Sequence, residues 1–224
     1  MKEKIIQISA LFILTISSAG QKIDTVYYNA QWDVTTKDNF KYYRLFTNIG
    51  DTIKVTDYYK NGTIQMTGGY KEREFINPIG MFIYYDRKRN KTQIEIFEPS
   101  KHPEICSKYI PIPENIGSKA DSIILFVAFY NNKNIKCFGY ELNKSNRIGQ
   151  WVFKDRKGRI MMIESYQDNR LEGPYRCYYS NILFISGQYI NNKKDGEWSL
   201  YHSVNGSLVK KVIFKDGKRI RTIR

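Results

Sequence analysis

The sequence predicts an all-β protein: tandem antiparallel β-hairpin repeats forming an elongated sheet, with a minor short helix near the amino terminus. Three observations carry this expectation. Aromatic residues make up 15% of the chain and strand-forming segments alternate apolar with polar residues, the period of a half-buried strand. Past the amino-terminal region, helical periodicity is nowhere sustained for about twelve residues. The carboxy-terminal half also repeats itself. Gly149-Gln150-Trp151, Gly173-Pro174-Tyr175 and Gly196-Glu197-Trp198 open successive units at spacings of 24 and 23 residues. Each unit later reaches an aromatic, Tyr166, Tyr189 or Phe214, so the period is two strands and two turns.

Taken in order, residues 1–20 have the layout of a secretory signal peptide: Lys2 and Lys4, an apolar run from Ile5 to Ile16, then Ser17, Ser18, Ala19 and Gly20. The run is shorter than the roughly 20 apolar residues a spanning helix needs, so cleavage after Ala19 or Gly20 is expected rather than anchoring. No cysteine follows to take a lipid. Residues 21–57 form an amino-terminal β segment, with a strand over Val26–Trp32 and a short helix over Thr36–Tyr43 capped by Thr35 or Thr36. Residues 58–97 hold degenerate hairpin repeats, Gly80 to Phe97 being one unit. Residues 98–118 carry Pro99, Pro103, Pro111, Pro113 and Gly117 and read as a connection between two sub-arrays. Residues 119–224 form the hairpin repeat array, including a partial unit from Phe126 to Tyr140.

Within a unit the hairpin is explicit. Trp198 and Leu200 alternate with Ser199 and Tyr201, Asn205-Gly206 supplies a turn, and Leu208, Lys210, Val212 and Phe214 then share a face. Asn-Gly favours positive φ at both central positions of a two-residue turn, and Asn61-Gly62 repeats the signal upstream. Gly149, Gly173 and Gly196 are expected where one hairpin passes to the next, as turn residues.

Gly196-x-Trp198-x-x-Tyr201, Asn205-Gly206-x-Leu208 and Phe214-x-Asp216-Gly217 resemble the bacterial MORN-repeat variant carried by YwqK-family antitoxins. The Tyr-Tyr segments Val26-Tyr27-Tyr28, Lys41-Tyr42-Tyr43-Arg44 and Asp57-Tyr58-Tyr59, behind a signal peptide, resemble exported members from Bacteroidetes. The resemblance is clearest over Gly149 to Lys218 and weaker over Tyr58 to Phe97. Lys154 replaces the second aromatic of one copy and Ile182 the turn glycine of the next. It implies stacked hairpins with structural aromatic columns and one binding face. Its antitoxin label implies a partner toxin protein, which gives a second functional reading.

The composition narrows the function. A net charge of +14, still strongly positive without residues 1–20, favours an anionic partner. Cys106, Cys137 and Cys177 make no disulfide scaffold. Cys137 and Cys177 are read as buried thiols, with an internal disulfide between them as the alternative. His102 and His202 lie in no nucleophile motif, and His102 with Cys106 makes only half a metal site, so no metal and no cofactor are expected. Glu95, Glu98 and Glu104 near the Pro-rich connection leave a hydrolase as a minor alternative to a non-enzyme.

The basic clusters are the stronger lead. Arg87, Lys88 and Arg89, with Lys91, occupy one turn; Lys210, Lys211, Lys215, Lys218, Arg219, Arg221 and Arg224 load the carboxy terminus, where lysines also deter edge pairing. Trp151, Tyr178, Trp198 and Tyr201 are the candidate stacking aromatics, a place in the core being the stronger reading for the two tryptophans. The expectation is an exported module, periplasmic or extracellular, with no transmembrane segment after cleavage. Its partner is a protein or an anionic polymer or lipid surface of the cell envelope, in preference to nucleic acid.

Overall fold

A computed structural model describes residues 24–71, 78–97 and 123–223. They form one open antiparallel sheet of 17 strands with no helix among the described residues. The strands are β1 (Asp24–Tyr28), β2 (Val34–Thr35), β3 (Tyr42–Ile49), β4 (Thr52–Tyr59), β5 (Ile64–Tyr70), β6 (Pro78–Tyr85), β7 (Lys91–Phe97), β8 (Ile123–Phe129) and β9 (Ile135–Leu142). There follow β10 (Asn146–Lys154), β11 (Ile160–Gln167), β12 (Arg170–Leu171), β13 (Gly173–Tyr179), β14 (Ile182–Ile190), β15 (Lys193–Tyr201), β16 (Leu208–Lys215) and β17 (Lys218–Ile223).

The pairing is a meander. β1 lies between β2 and β3, and from β3 onward each strand bonds its predecessor and successor, with β12 and β13 sharing one place beside β11. At about 4.8 Å per strand the sheet extends about 70 Å along its hydrogen-bonding direction. The hairpins begin earlier than the sequence suggested: β3 and β4 pair in full register from Tyr42↔Tyr59 to Ile49↔Thr52. Residues 98–118 lie outside the described residues. The strands around them are immediate neighbours, Phe97 opposite Ile124 and Gln93 opposite Ala128, so the sheet runs through that point without a break.

The expected helix over Thr36–Tyr43 does not form. The Asn39 amide bonds the Thr36 carbonyl in a single turn, and Tyr42 and Tyr43 already belong to β3, paired with Tyr59 and Tyr58. Cross-strand packing, which stacks Tyr43 on Tyr58 with centroids 4.8 Å apart, outweighs a weak local capping signal. The strand expected over Val26–Trp32 is instead Asp24–Tyr28, and a turn follows in which Trp32 has φ 65°.

The core lies on both faces of the central strands. One face carries Ile94, Ile96, Leu125, Val127, Phe138, Tyr140 and Val152; the other joins Phe46, Val55, Met66, Phe82, Phe97 and Ile124. On this second face an aromatic ring lies over a glycine of the preceding strand in three places. Phe82 covers Gly68, Trp151 covers Gly139 and Trp198 covers Gly187, and a Cβ on any of these glycines would come within 3 Å of the ring. Each indole then donates a 3.1 Å hydrogen bond to the carbonyl following its glycine, Trp151 Nε1 to Tyr140 and Trp198 Nε1 to Gln188. The ladder slips beside each ring, as an inserted bulge residue requires.

Two residues before these three rings, φ is 67° at Gly80, 62° at Gly149 and 68° at Gly196, and Gly173, two residues before Tyr175, has φ 103°. They lie within strands or at a strand start, so the expected turn role of Gly149, Gly173 and Gly196 is corrected to that of irregular strand positions. Later in each unit the aromatics meet edge to face, Trp151 with Tyr166, Tyr175 with Tyr189 and Trp198 with Phe214. Leu208, expected on the face of Val212 and Phe214, is half exposed beyond a ladder slip between Leu200 and Tyr201.

Candidate functional site

Successive hairpins alternate their turns between the two rims of the sheet. One rim holds tight two-residue turns, Asp168-Asn169, Asn191-Asn192 and Asp216-Gly217, with positive φ at both residues. The amides of Asn169, Asn192 and Gly217 reach back to the carbonyls of Arg147, Leu171 and Lys194, binding each turn to an earlier strand. The two Asn-Gly turns read from the sequence are not of this type. Asn61-Gly62 and Asn205-Gly206 lie in longer loops of the opposite rim, and only the glycine of each pair has positive φ.

That opposite rim repeats one loop geometry five times: once in 29–33, where the fourth amide reaches the first carbonyl at 3.3 Å and the fourth residue, Trp32, has φ 65°, and in four further loops. In 59–63, 86–90, 130–134 and 155–159 the first amide bonds the fifth carbonyl and the fourth amide bonds the first carbonyl, at 2.8–2.9 Å. The fourth residue of each, Gly62, Arg89, Lys133 or Gly158, has φ of 66–82°. Two loops begin with an aspartate. Asp86 Oδ1 accepts the amides of Lys88 and Asn90, both at 2.8 Å, and Asp155 Oδ1 those of Lys157 and Arg159, both at 2.9 Å. Hydrogen bonds from the side chain and amide of Asn90 hold the Asp86 carboxyl below its usual range. These carboxylates are turned inward onto their own loops.

The cations of these loops point outward. Lys60, Arg87, Lys88, Arg89, Lys133, Arg156 and Lys157 are all exposed. Neighbouring loops are tied together: Tyr59 donates its hydroxyl to the Tyr85 carbonyl at 2.9 Å while Arg87 covers its ring at 5.5 Å. The same clamp recurs when Tyr130 bonds the Lys154 carbonyl at 2.8 Å beneath Arg156 at 5.5 Å. Asn132 and Asn134 both donate to the Arg156 carbonyl, and Lys91 lies over Phe129, 5.7 Å from its centroid. The result is a continuous row of basic turns about 10 Å apart, two strands per step.

Arg87, Lys88 and Arg89, expected as binding residues, lie in this row. Trp151 is fully buried and Trp198 nearly so; each is packed over a glycine with its N–H satisfied, so neither offers a ring to a ligand and both are corrected to structural residues. Tyr178 and Tyr201 are half-buried at the ends of β13 and β15 nearest the same rim, the Tyr201 hydroxyl 3.4 Å from Ser186 Oγ. Lys210 and Lys211 do not form one patch. Lys210, opposite Leu200, shares the face of Trp198, whereas Lys211 points the other way and pairs with Glu197 at 2.8 Å.

Sequence reading missed Lys60, Lys133, Arg156 and Lys157, which are scattered along the chain. A usable signal was present: Asp86-Arg87-Lys88 recurs as Asp155-Arg156-Lys157.

The other candidates are absorbed by the fold. Cys137 and Cys177 are free thiols, the first buried, so the disulfide alternative is not realised; Cys106 lies outside the described residues. His202 is exposed at the start of a loop, whereas His102, Glu98 and Glu104 also fall outside the described residues. Glu95 accepts hydrogen bonds from Tyr84 and Gln93. Arg44 and Asp57 form a bidentate pair at 2.6 and 2.8 Å, Asp57 being 1% exposed, with Arg44 5.6 Å from the centroid of the Tyr28 ring. Burial opposes the Arg44 charge, and the Asp57 hydrogen bond and charge more than offset it. Among the described residues no group of three His, Cys, Asp or Glu is placed to hold a metal ion, and no helix is long and apolar enough to cross a membrane. No protein-family model matches the chain, and no curated protein matches it.

Proposed function

We propose that this chain is an exported MORN-like repeat protein that acts as a non-catalytic binding or scaffolding module of the cell envelope, with an anionic surface as its partner. The observation that carries the reading is the basic rim: seven exposed cations from four turns lie on one edge of the sheet. The two carboxylates of those turns are engaged with their own loop amides. Such a row attracts anions over a long range and loses that attraction in salt. The sheet behind it supplies the scaffold, since stacked hairpins held by aromatic–glycine contacts fix the turn spacing without any ligand.

The protein is therefore expected to stay on envelope material from its host at low ionic strength. It should be released between about 0.1 and 1 M salt, as the screening length falls from about 10 to about 3 Å. Retention that is unchanged by salt, or no retention at low salt, would count against an electrostatic partner. Relief of the toxicity of a neighbouring gene product by this chain would instead favour the antitoxin reading.

A further inference from the structure

We infer that the rim formed by turns 59–63, 86–90, 130–134 and 155–159 is a track for a single chain of an acidic polysaccharide. This deepens the proposed function and rests on it. The apices of the four turns are residues 60–62, 87–89, 131–133 and 156–158. Their twelve residues are seven Lys or Arg, three Asn and two Gly. None of them is apolar, so the row has nothing to wedge into the acyl boundary of a bilayer, which interfacial binding surfaces require. None is aromatic either. Tyr59 and Tyr130 lie beneath Arg87 and Arg156 with their hydroxyls bonded to neighbouring carbonyls, so these four turns present no free stacking platform of the kind a single-stranded nucleic acid would use. The exposed Trp32 of the adjoining loop 29–33 is already stacked on Tyr42, centroids 4.5 Å apart.

The shape points the same way. The charges lie along the edge of one sheet, a line rather than a plane, which suits a linear polymer. They are also graded along that line. The two Asp-Arg-Lys turns carry most of the cations, and between them lies a turn whose apex is Asn131, Asn132 and Lys133. Cationic turns on either side of an amide-rich one match a chain that offers carboxylates together with hydroxyls. Arg87 and Arg156 are held in place on tyrosine rings, so part of the ordering cost of binding is already met before a ligand arrives.

The test is fluorescence anisotropy of the folded protein with labelled oligogalacturonates of rising length. The two Asp-Arg-Lys turns are four strands, or about 20 Å, apart. Affinity is expected to rise about tenfold once an oligomer is long enough to reach both turns, because the second contact becomes intramolecular. R87E/K88E and R156E/K157E are each expected to weaken the long oligomer about tenfold and to remove its advantage over the short one. K218E/R219E/R221E, on the far strand, should change binding by no more than about twofold. R87Q/K88Q and R156Q/K157Q, with melting temperatures for every variant, separate loss of charge from loss of fold.

Binding that survives both rim reversals but is lost in K218E/R219E/R221E would overturn the track while leaving an anionic partner in place. Rim-dependent capture of phosphatidylglycerol vesicles without oligogalacturonate binding would replace the glycan with a membrane surface. Binding of neither probe, together with no salt-sensitive retention on envelope material, would remove the track and the proposed function together.

Discussion

Gly139→Ala is expected to cost about 3 kcal/mol of unfolding free energy, because the new methyl has nowhere to go. Its Cβ would fall within 3 Å of the Trp151 indole, and Trp151 is fully buried with its N–H committed to the Tyr140 carbonyl. Gly187→Ala meets Trp198 in the same way. The adjacent glycines of β5 supply an internal control: a Cβ on Gly68 collides with Phe82, whereas one on Gly69 finds nothing closer than 3.6 Å. Gly69→Ala should therefore cost no more than about 1 kcal/mol while Gly68→Ala costs several times that. Denaturant titrations of the four variants check this. If Gly139→Ala and Gly69→Ala proved equally mild, the ring-over-glycine contact would not be what sets the repeat.

Asp57→Ala is expected to be the most damaging single change outside those glycines, costing about 3–5 kcal/mol, since it leaves the Arg44 guanidinium without its buried counter-charge. Arg44 sits among Tyr28 and Tyr70 on the densely packed second face, with little water to replace the carboxylate. The paired replacement Arg44→Met with Asp57→Leu should recover most of the loss, because two apolar side chains avoid both desolvation and an orphan charge. Against a typical total stability of about 5–15 kcal/mol, the single change alone could leave much of the protein unfolded at 37 °C. A double-mutant cycle followed by denaturant titration measures the coupling. Simple additivity of Arg44→Met and Asp57→Leu would show that the pair contributes nothing beyond its separate side chains.

The hairpin architecture was legible because its determinants are local. A glycine two residues before a ring, then an alternating strand, then a second aromatic recurs at Gly149, Gly173 and Gly196 and is also present at Gly80. The class of turn was less legible. Asp168-Asn169 and Asn191-Asn192 make tight turns, whereas Asn61-Gly62 and Asn205-Gly206 sit in longer loops in which only the glycine takes positive φ. The false helix at Thr36–Tyr43 arises because a capping threonine is local, but the stacking of Tyr43 on Tyr58 is not.

The candidate site was the least legible part. Arg87, Lys88 and Arg89 stand out as a run, while Lys60, Lys133 and Arg156 look unremarkable until alternate turns are gathered on one rim. That gathering follows from the antiparallel meander alone. Trp151 and Trp198, candidates for binding but read more strongly as core, are buried. A large aromatic next to polar residues suits a binding surface as well as a core, and only the bare glycine on the neighbouring strand decides between them.

The proposed function requires the chain to leave the cytoplasm, and the direct measurement is the intact mass and compartment of a carboxy-terminally tagged protein in its own host. A mature chain beginning near Gly20 or Gln21 and recovered with the envelope or the medium is the predicted result. Retention of Met1 in the cytoplasm would contradict it and turn the search for a partner of the basic rim towards a toxin protein.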